Sequence, residues 1–418
     1  MKVHGCWVDL VHLRSESYSE DSRIPTSVEF GTPAEDAVRR DLTVNALFYN
    51  LHSRCVEDFT GRGLEDLRQR VARTPLPALQ TLLDDPLRAL RAVRLAAKLG
   101  LSLDSELEDA ARHPSVSSAL STKVSRERVG VEVESMLMGP HPVDAATMLA
   151  RLGLSRPVCS LPPPVIDAAP PSWPWACAAS LASGIAAWGG VPGAAPACDD
   201  DRRVALLAAW LSPLRSVLAP SSQKPTPLPQ HVLREALKLR GKDAEGVARL
   251  HASSDAFAPL LAPGAPTPSR ARLGRLLRSA KGSWRTAIAL AAAFRALPGL
   301  RLSSSGAPEE GGAPRFEACA CAPPESLCVG LDVAGACSLV ARCEALGLDN
   351  CWAAKPLLTG GEVQAALGLP RAGPGLGQWV DALIGWELSN PGKDKGHATA
   401  WLKAHAGQAS PPPGVEDA

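Results

Sequence analysis

The run Leu82-Leu83-Asp84-Asp85-Pro86-Leu87-Arg88-Ala89-Leu90-Arg91-Ala92-Val93-Arg94 constrains this chain more than any other stretch of its 418 residues. It predicts the start of a helix. Asp85 suits the N-cap, and Pro86 suits the first helical position, where a missing N–H costs nothing. Leu83, Leu87, Leu90 and Ala97 recur at helical spacing and make the expected buried stripe. Beside that stripe, Asp85, Arg88, Arg91 and Arg94 follow one another every third residue.

A carboxylate one turn before a guanidinium can read a nucleobase. Aspartate accepts from an exocyclic amine, while arginine donates to the neighbouring ring nitrogen. Cytosine and adenine present an amine donor beside a ring acceptor, whereas guanine and uracil reverse the order and leave both protein groups unpaired. Arg91 and Arg94, further along, could meet phosphates. The plain alternative for the same residues is a capped, solvated helix with one weak ion pair.

Composition narrows the setting. Lys and Arg number 44 against 43 Asp and Glu, so any basic surface must be local. No run of 18 apolar residues is present, which excludes a membrane-spanning helix by sequence. Eleven cysteines, odd in number and scattered, suit reduced thiols inside a cell. Six of them fall between Cys319 and Cys351 with no C-x2-C pair and no histidine among them, which favours buried or incidental thiols over zinc. No targeting peptide is evident at the start of the sequence.

Taken in order, Val3–Arg14 reads as one strand with Asp9 in its middle, and 15–32 as polar loop. Residues 34–41 have a helical flavour, and short strands are expected at 47–49 and 55–59. From about Leu82 onward only helices are expected. Those at 103–112, 125–138 and 143–154 are followed by a Pro- and Ala-dense region, 156–201. That region reads as linker or decorated loop with one apolar helix near 176–187. Helices are predicted at 203–218, 230–256 and 270–297. The last carries Arg270, Arg272, Arg275, Arg278, Lys281 and Arg285, either a solvated basic face or an RNA-backbone groove. Residues 303–314 read as a low-complexity linker. Thr359-Gly360-Gly361-Glu362 forms a capping box, and Leu376, Trp379, Val380, Leu383 and Trp386 mark an amphipathic helix. The last dozen residues are expected to be disordered.

Three ordered motifs carry a family resemblance: Arg39-Arg40-Asp41-Leu42-Thr43-Val44-Asn45-Ala46-Leu47, Val56-Glu57-Asp58-Phe59-Thr60-Gly61-Arg62-Gly63-Leu64-Glu65-Asp66-Leu67, and Asp84-Asp85-Pro86-Leu87-Arg88-Ala89-Leu90-Arg91. Val124-Ser125-Arg126-Glu127-Arg128-Val129-Gly130 follows, and Lys355-Pro356-Leu357-Leu358-Thr359-Gly360, Gly373-Pro374 and Asn390-Pro391 extend the match at the far end. The chain resembles the class II tRNA nucleotidyltransferases, or CCA-adding enzymes, of eukaryotic type, and their poly(A) polymerase relatives. The resemblance implies an α+β fold: a polymerase-β-like head with a mixed sheet, here incomplete, followed by all-helical neck, body and tail. The corresponding divisions are 1–70, 71–140, 141–330 and 331–405, with 406–418 disordered. It further implies that Asp85 and Arg88 select CTP and then ATP, that Arg40, Arg91 and Arg94 face the nucleotide, and that Asp41 and Asn45 lie near its ribose. tRNA is the implied partner.

The family's head also has a Gly-rich motif and an Asp-x-Asp strand that hold the triphosphate and two Mg²⁺ ions. Neither is found in these residues. Asp9 fits only the third metal-facing carboxylate, and one carboxylate is a poor Mg²⁺ site. The expectation is a sequence shortened at its start, because a chain that had lost catalysis would have no physical reason to keep its nucleotide-reading residues. The 418 residues alone are then expected to be inactive. A poly(A) polymerase of the same class and a non-catalytic tRNA-binding relative remain as alternatives.

Overall fold

The computed structural model describes residues 1–19, 22–220, 225–297, 331, 333–369, 374–406 and 408. It begins with two antiparallel hairpins. In the first, β1 (Lys2–Val3) pairs with β2 (Cys6–Trp7) across His4 and Gly5, both at positive φ. The second joins β3 (Arg14–Ser19) to β4 (Ser22–Phe30). The single strand expected over Val3–Arg14 is therefore broken, and Val8–Leu13 has no regular structure. The expected loop at 15–32 is mostly hairpin: β3 is largely polar, and Pro25 and Thr26 interrupt the apolar residues of β4, so no clean alternation announces a strand.

A capping box at Thr32 and Glu35 starts α1 (Pro33–Val38), with proline at the first turn. Next come a 3-10 turn at Thr43–Asn45, then β5 (Phe48–Asn50) paired antiparallel with β6 (Cys55–Glu57). After α2 (Gly63–Gln69), β7 (Val71–Ala72) pairs parallel with β8 (Ser102–Leu103). The sheet content is thus a set of two-stranded ladders.

Helices α3 (Ala78–Asp84) and α4 (Leu87–Leu99) lie between β7 and β8, and they meet at Asp85-Pro86. The helix start predicted at Leu82 is thus two helices, with Leu82 fully buried in the first and Leu83 only half-buried. Gly100 ends α4 in the left-handed region, φ +64°. Then come α5 (Ser105–Arg112), α6 (Pro114–Lys123), α7 (Arg126–Leu137) and α8 (Pro142–Arg151). Buried Leu87, Leu90, Val93 and Ala97 pack α4 against α7 and α8. In α7, Val129 and Val133 are buried while Val131 is exposed, so the valine alternation serves a helix.

The Pro- and Ala-rich region is structured: α9 (Ser155–Cys159), α10 (Pro163–Ala168) and α11 (Trp173–Gly190) follow in close succession. Val158, Cys159, Trp173 and Leu181 are buried to 0% exposure, so these helices are core and not linker. Pro163 opens α10, since a proline run is tolerated where the first N–H groups have no partner anyway. Beyond α12 (Asp199–Leu211), β9 (Leu218–Ala219) pairs with β10 (Thr226–Pro227). The helix expected over 230–256 breaks into α13 (Leu228–His231), a π turn at Val232–Ala236 and α14 (Gly241–Phe257), with Lys238 at φ +49° between them.

The predicted long helix 270–297 is likewise two, α15 (Arg270–Ala280) and α16 (Trp284–Ala296), separated where Lys281 turns to φ +58°. They are followed by α17 (Ala334–Ala345), α18 (Gly360–Ala366), α19 (Pro374–Ser389) and α20 (Lys395–Ala404). The last three enclose a core of Leu358, Val363, Leu367, Trp379, Leu383, Ala398 and Leu402. The linker at 303–314, Cys319, Cys321, Cys328 and the last ten residues lie outside the described residues.

The chain divides into two compact units. The described part of the first comprises Met1–Ala182 and Trp210–Glu245, and the second is drawn from Ser183–Ala209, Gly246–Pro298 and Cys328–Ala418. In the second unit, α15 and α19 approach closely through glycines: a Cβ on Gly274 would collide with Leu388, and one on Gly385 would meet the Arg275 guanidinium.

The capping box read from the sequence is present, with the Thr359 amide donating to Glu362 at 2.8 Å. A hydrogen bond from Lys395, together with those from Thr359, holds the Glu362 carboxyl down to about 2 from its ordinary 4.5. Because the folded value lies below the unfolded one, the contribution is full above about pH 4.5 and disappears as pH falls toward 2. Amide exchange of Val363 in the full chain, corrected for intrinsic rates, should show its protection weakening modestly and progressively as pH falls from about 4.5 toward 2. Protection that does not change between about pH 5 and pH 2.5 would contradict this.

Candidate nucleotide-reading site

The site is built where α4 meets the turn that follows α1. Asp41, 5% exposed, accepts from its neighbour Leu42 N at 3.0 Å and from Asn45 Nδ2 at 2.8 Å through one oxygen. Its other oxygen takes Arg91 Nε at 2.7 Å. One turn earlier on α4, Arg88 donates to two backbone carbonyls, Arg39 O at 2.9 Å and Thr81 O at 3.3 Å. Arg94 donates to Glu132 at 2.6 Å, and Arg91 reaches the same carboxylate at 3.8 Å. Asp85 accepts from Leu87 N at 3.2 Å, which makes it the working cap of α4, and from Arg128 Nη2 at 2.8 Å.

The structure thus brings together Arg40, Asp41, Asn45, Asp85, Arg88, Arg91 and Arg94 on one unit. Arg40 donates to Asp36 and lies 5.0 Å from the Phe48 ring centroid. Asp9 is the exception: it is exposed and sits outside any strand.

Sequence reasoning missed the supporting partners. Glu132 is 6% exposed and Asp36 only 2% exposed, and Arg128 orients the Asp85 carboxylate. Burial by itself would raise the Asp36 carboxyl, but hydrogen bonds and charge from Arg40 and Arg39 outweigh it and hold the group below the usual range. The spacing Ser125-Arg126-Glu127-Arg128 was visible in the sequence, but nothing in it announced which residues those arginines would meet.

The motif around Asp58 is structural in the same way. Asp58 accepts from Thr60 N at 3.1 Å, Thr60 Oγ1 at 2.7 Å and Leu64 N at 3.0 Å, and so caps α2. Burial opposes ionisation there, but these bonds lower its pKa overall. Gly63 is required because a Cβ would come within 2.7 Å of Thr43 O. Asp66 accepts from Thr43 Oγ1 at 2.7 Å and Arg73 Nε at 3.3 Å.

The basic stretch 270–285 is neither a solvated face nor an open groove over most of its length. Arg270 donates to Leu388 O at 2.9 Å and to Leu346 O, and Arg278 to Cys351 O at 2.7 Å and Ala354 O at 2.9 Å. Arg285 pairs with Glu344 at 2.8 Å and covers the Trp284 ring. The guanidiniums of Arg270 and Arg278 satisfy carbonyls at the ends of α17 and α19 and in the turn after α17. Arg272 and Lys281 are exposed.

Among the described residues no group of three or more His, Cys, Asp or Glu is placed to hold an ion. Burial pushes the Cys343 thiol up to about 12, which agrees with an inert core thiol. No helix among the described residues is long and apolar enough to cross a membrane.

Residues 1–73 match the family described as the Poly A polymerase head domain. The mitochondrial CCA tRNA nucleotidyltransferase of Saccharomyces cerevisiae is 54% identical over 155 residues, which are 37% of this chain and 28% of that protein. A tRNA nucleotidyltransferase of Schizosaccharomyces pombe, cca2, is 28% identical over 397 residues, 95% of this chain and 76% of its own. The crystal structure of the Bacillus stearothermophilus CCA-adding enzyme with CTP superposes at TM-score 0.57 with 22% identity, covering 94% of this chain and 78% of that one. This chain has the fold of the CCA-adding enzymes. Its matched segment spans under a third of the length of the S. cerevisiae relative.

Proposed function

We propose that this chain serves a tRNA nucleotidyltransferase that adds CCA to tRNA 3′ ends from CTP and ATP. The observation that carries the reading is the anchoring of the Asp85–Arg88 pair. Arg128 steadies the carboxylate, and two backbone carbonyls steady the guanidinium. A base-reading edge discriminates only if it cannot rotate to suit the wrong base. In this reading Asp85 accepts the exocyclic amine of cytosine or adenine and Arg88 donates to the ring nitrogen. Arg91 fixes Asp41, which with Asn45 borders the ribose, and Arg40 and Arg94 face the nucleotide. The division into head, neck, body and tail at 70, 140 and 330 belongs to the same proposal. A tRNA substrate places the protein inside the cell.

No transfer step is assigned through metal, because the described residues do not supply its ligands. The family chemistry would use divalent ions to activate the tRNA 3′-hydroxyl.

Titrating CTP, ATP, UTP and GTP into the purified 418-residue polypeptide tests the reading. CTP and ATP should bind, and UTP and GTP should bind measurably more weakly. Binding of ATP without CTP would favour the poly(A) polymerase reading, for which the match of residues 1–73 speaks. Equal binding of all four would end both. The same polypeptide, given Mg²⁺ and a tRNA lacking its CCA end, should incorporate no CMP or AMP. Robust incorporation would place the metal ligands elsewhere in these residues.

A further inference from the structure

Arg88 is held by a backbone carbonyl, and a buried carboxylate ties down the side chains of the turn bearing that carbonyl. We propose that Asp36 is a positioning residue for base selection, setting Arg88 through the backbone of Arg39. The inference rests on the reading of Asp85 and Arg88 as the base-reading pair.

Asp36 lies within α1 and is 2% exposed. One of its oxygens takes Arg39 Nε at 3.0 Å, and the other takes Arg40 Nε at 3.1 Å and Arg40 Nη2 at 2.8 Å. Exposed pairs at such spacing contribute little. This carboxylate is out of water, and there the pairing becomes strongly required, since a buried charge that loses its partners is costly. Both guanidiniums are thereby drawn back over the last turn of α1.

Arg39 is the C-cap of that helix, at φ −79° and ψ −5°, and its carbonyl accepts Arg88 Nη2 at 2.9 Å. Two residues on, Asp41 accepts Arg91 Nε at 2.7 Å. One short turn therefore offers two acceptors to two arginines spaced one turn apart on α4. Asp36 holds the turn from behind. Without its charge, Arg39 and Arg40 lose a shared anchor, and the Arg39 carbonyl is less firmly held. A guanidinium whose anchor moves can pivot to accommodate a uracil or guanine edge, and the penalty for the wrong base falls.

The test is calorimetric titration of the full chain with CTP and with UTP, in the wild type, Asp36→Asn, Arg88→Ala and the double variant. In the wild type CTP should bind more tightly. Asp36→Asn should shrink the CTP-to-UTP affinity ratio by about tenfold, a coupling of the size seen between residues of one network. In the Arg88→Ala background the same change should leave the ratio where Arg88→Ala put it. A residue that only supported folding would shift the thermal midpoint without that dependence on Arg88. If Asp36→Asn does not fold, Arg39→Ala removes one of the two ties and keeps the backbone carbonyl, and it should shrink the ratio in the same direction. A ratio unchanged by either variant overturns the role of Asp36 and leaves the base-reading pair standing. A wild-type chain that binds CTP and UTP equally overturns the pair, and Asp36 with it.

Discussion

Replacing Arg126 by methionine should destabilise the unit that carries the site by about 2–3 kcal/mol, the scale of leaving buried carbonyls without their donor. Arg126 opens α7, and its half-buried guanidinium meets backbone carbonyls. It donates to Ala236 O at 2.6 Å, Pro157 O at 2.9 Å and Val158 O. Burial lowers its pKa, with the Cys159 thiol beside it, itself pushed up to about 12. The three carbonyls come from two chain segments that end nearby, α9 and the π turn, where helix geometry leaves acceptors orphaned. A hydrogen bond to a charged group contributes roughly 1.5–3 kcal/mol, and methionine returns only part of the packing. Lysine keeps the charge but has one head for three acceptors, so Arg126→Lys should fall between. Urea unfolding of the full chain is the measurement, read at the transition of this unit because two units need not melt together. A midpoint unchanged in Arg126→Met would mean that water satisfies those carbonyls equally well.

That substitution also bears on function. Helix α7 carries Arg128 and Glu132, which hold Asp85 and Arg94. Loosening the first residue of α7 should therefore disturb both before the unit unfolds.

What could be read from the sequence follows the range of each interaction. The buried stripe of α4, the Thr359–Glu362 capping box and the paired strands around His52 announced themselves by local spacing. So did Asp85 and Arg88. Their anchors did not, because Arg128 lies 43 residues from Asp85 and Arg39 lies 49 from Arg88. No periodicity reports such a pair. The Pro- and Ala-rich region misled for a different reason. Proline marks linkers in composition, yet at a first helical turn it marks the start of a helix, and alanine lets helices pack closely. A Cβ on Gly184 would stand 2.7 Å from Ala209, which shows how closely the chain packs there. In Arg270–Arg285 charge suggested a surface, but arginine satisfies buried carbonyls as readily as it meets solvent or phosphate. The hairpin at 14–30 is held by backbone pairing that its irregular mix of polar and apolar residues does not announce.

Arg88→Ala and Asp85→Ala should each reduce the preference for CTP and ATP over UTP and GTP by about 1–3 kcal/mol, or roughly 5- to 150-fold in affinity ratio, by analogy with bidentate base readout. The two changes do this for different reasons. Arg88→Ala removes the donor to the ring nitrogen and frees the Arg39 and Thr81 carbonyls. Uracil and guanine, whose ring N–H faced that donor, lose a repulsion while cytosine and adenine lose a bond. Asp85→Ala removes the acceptor for the amine, and it also removes the cap on Leu87 N and the partner of Arg128. Losing the cap alone should cost about 1 kcal/mol of stability. Asp85→Asn separates the two effects. It keeps an oxygen for the cap, so stability should be largely retained, yet its amide can rotate to present a donor as well as an acceptor. Selectivity should therefore fall nearly as far as with alanine. Nucleotide titrations of the full chain read the ratios, and thermal unfolding reads the cap. If Asp85→Asn kept full selectivity while Asp85→Ala lost only stability, Asp85 would be a helix cap and nothing more, and the base-reading role would pass to whichever groups hold Arg88 in place.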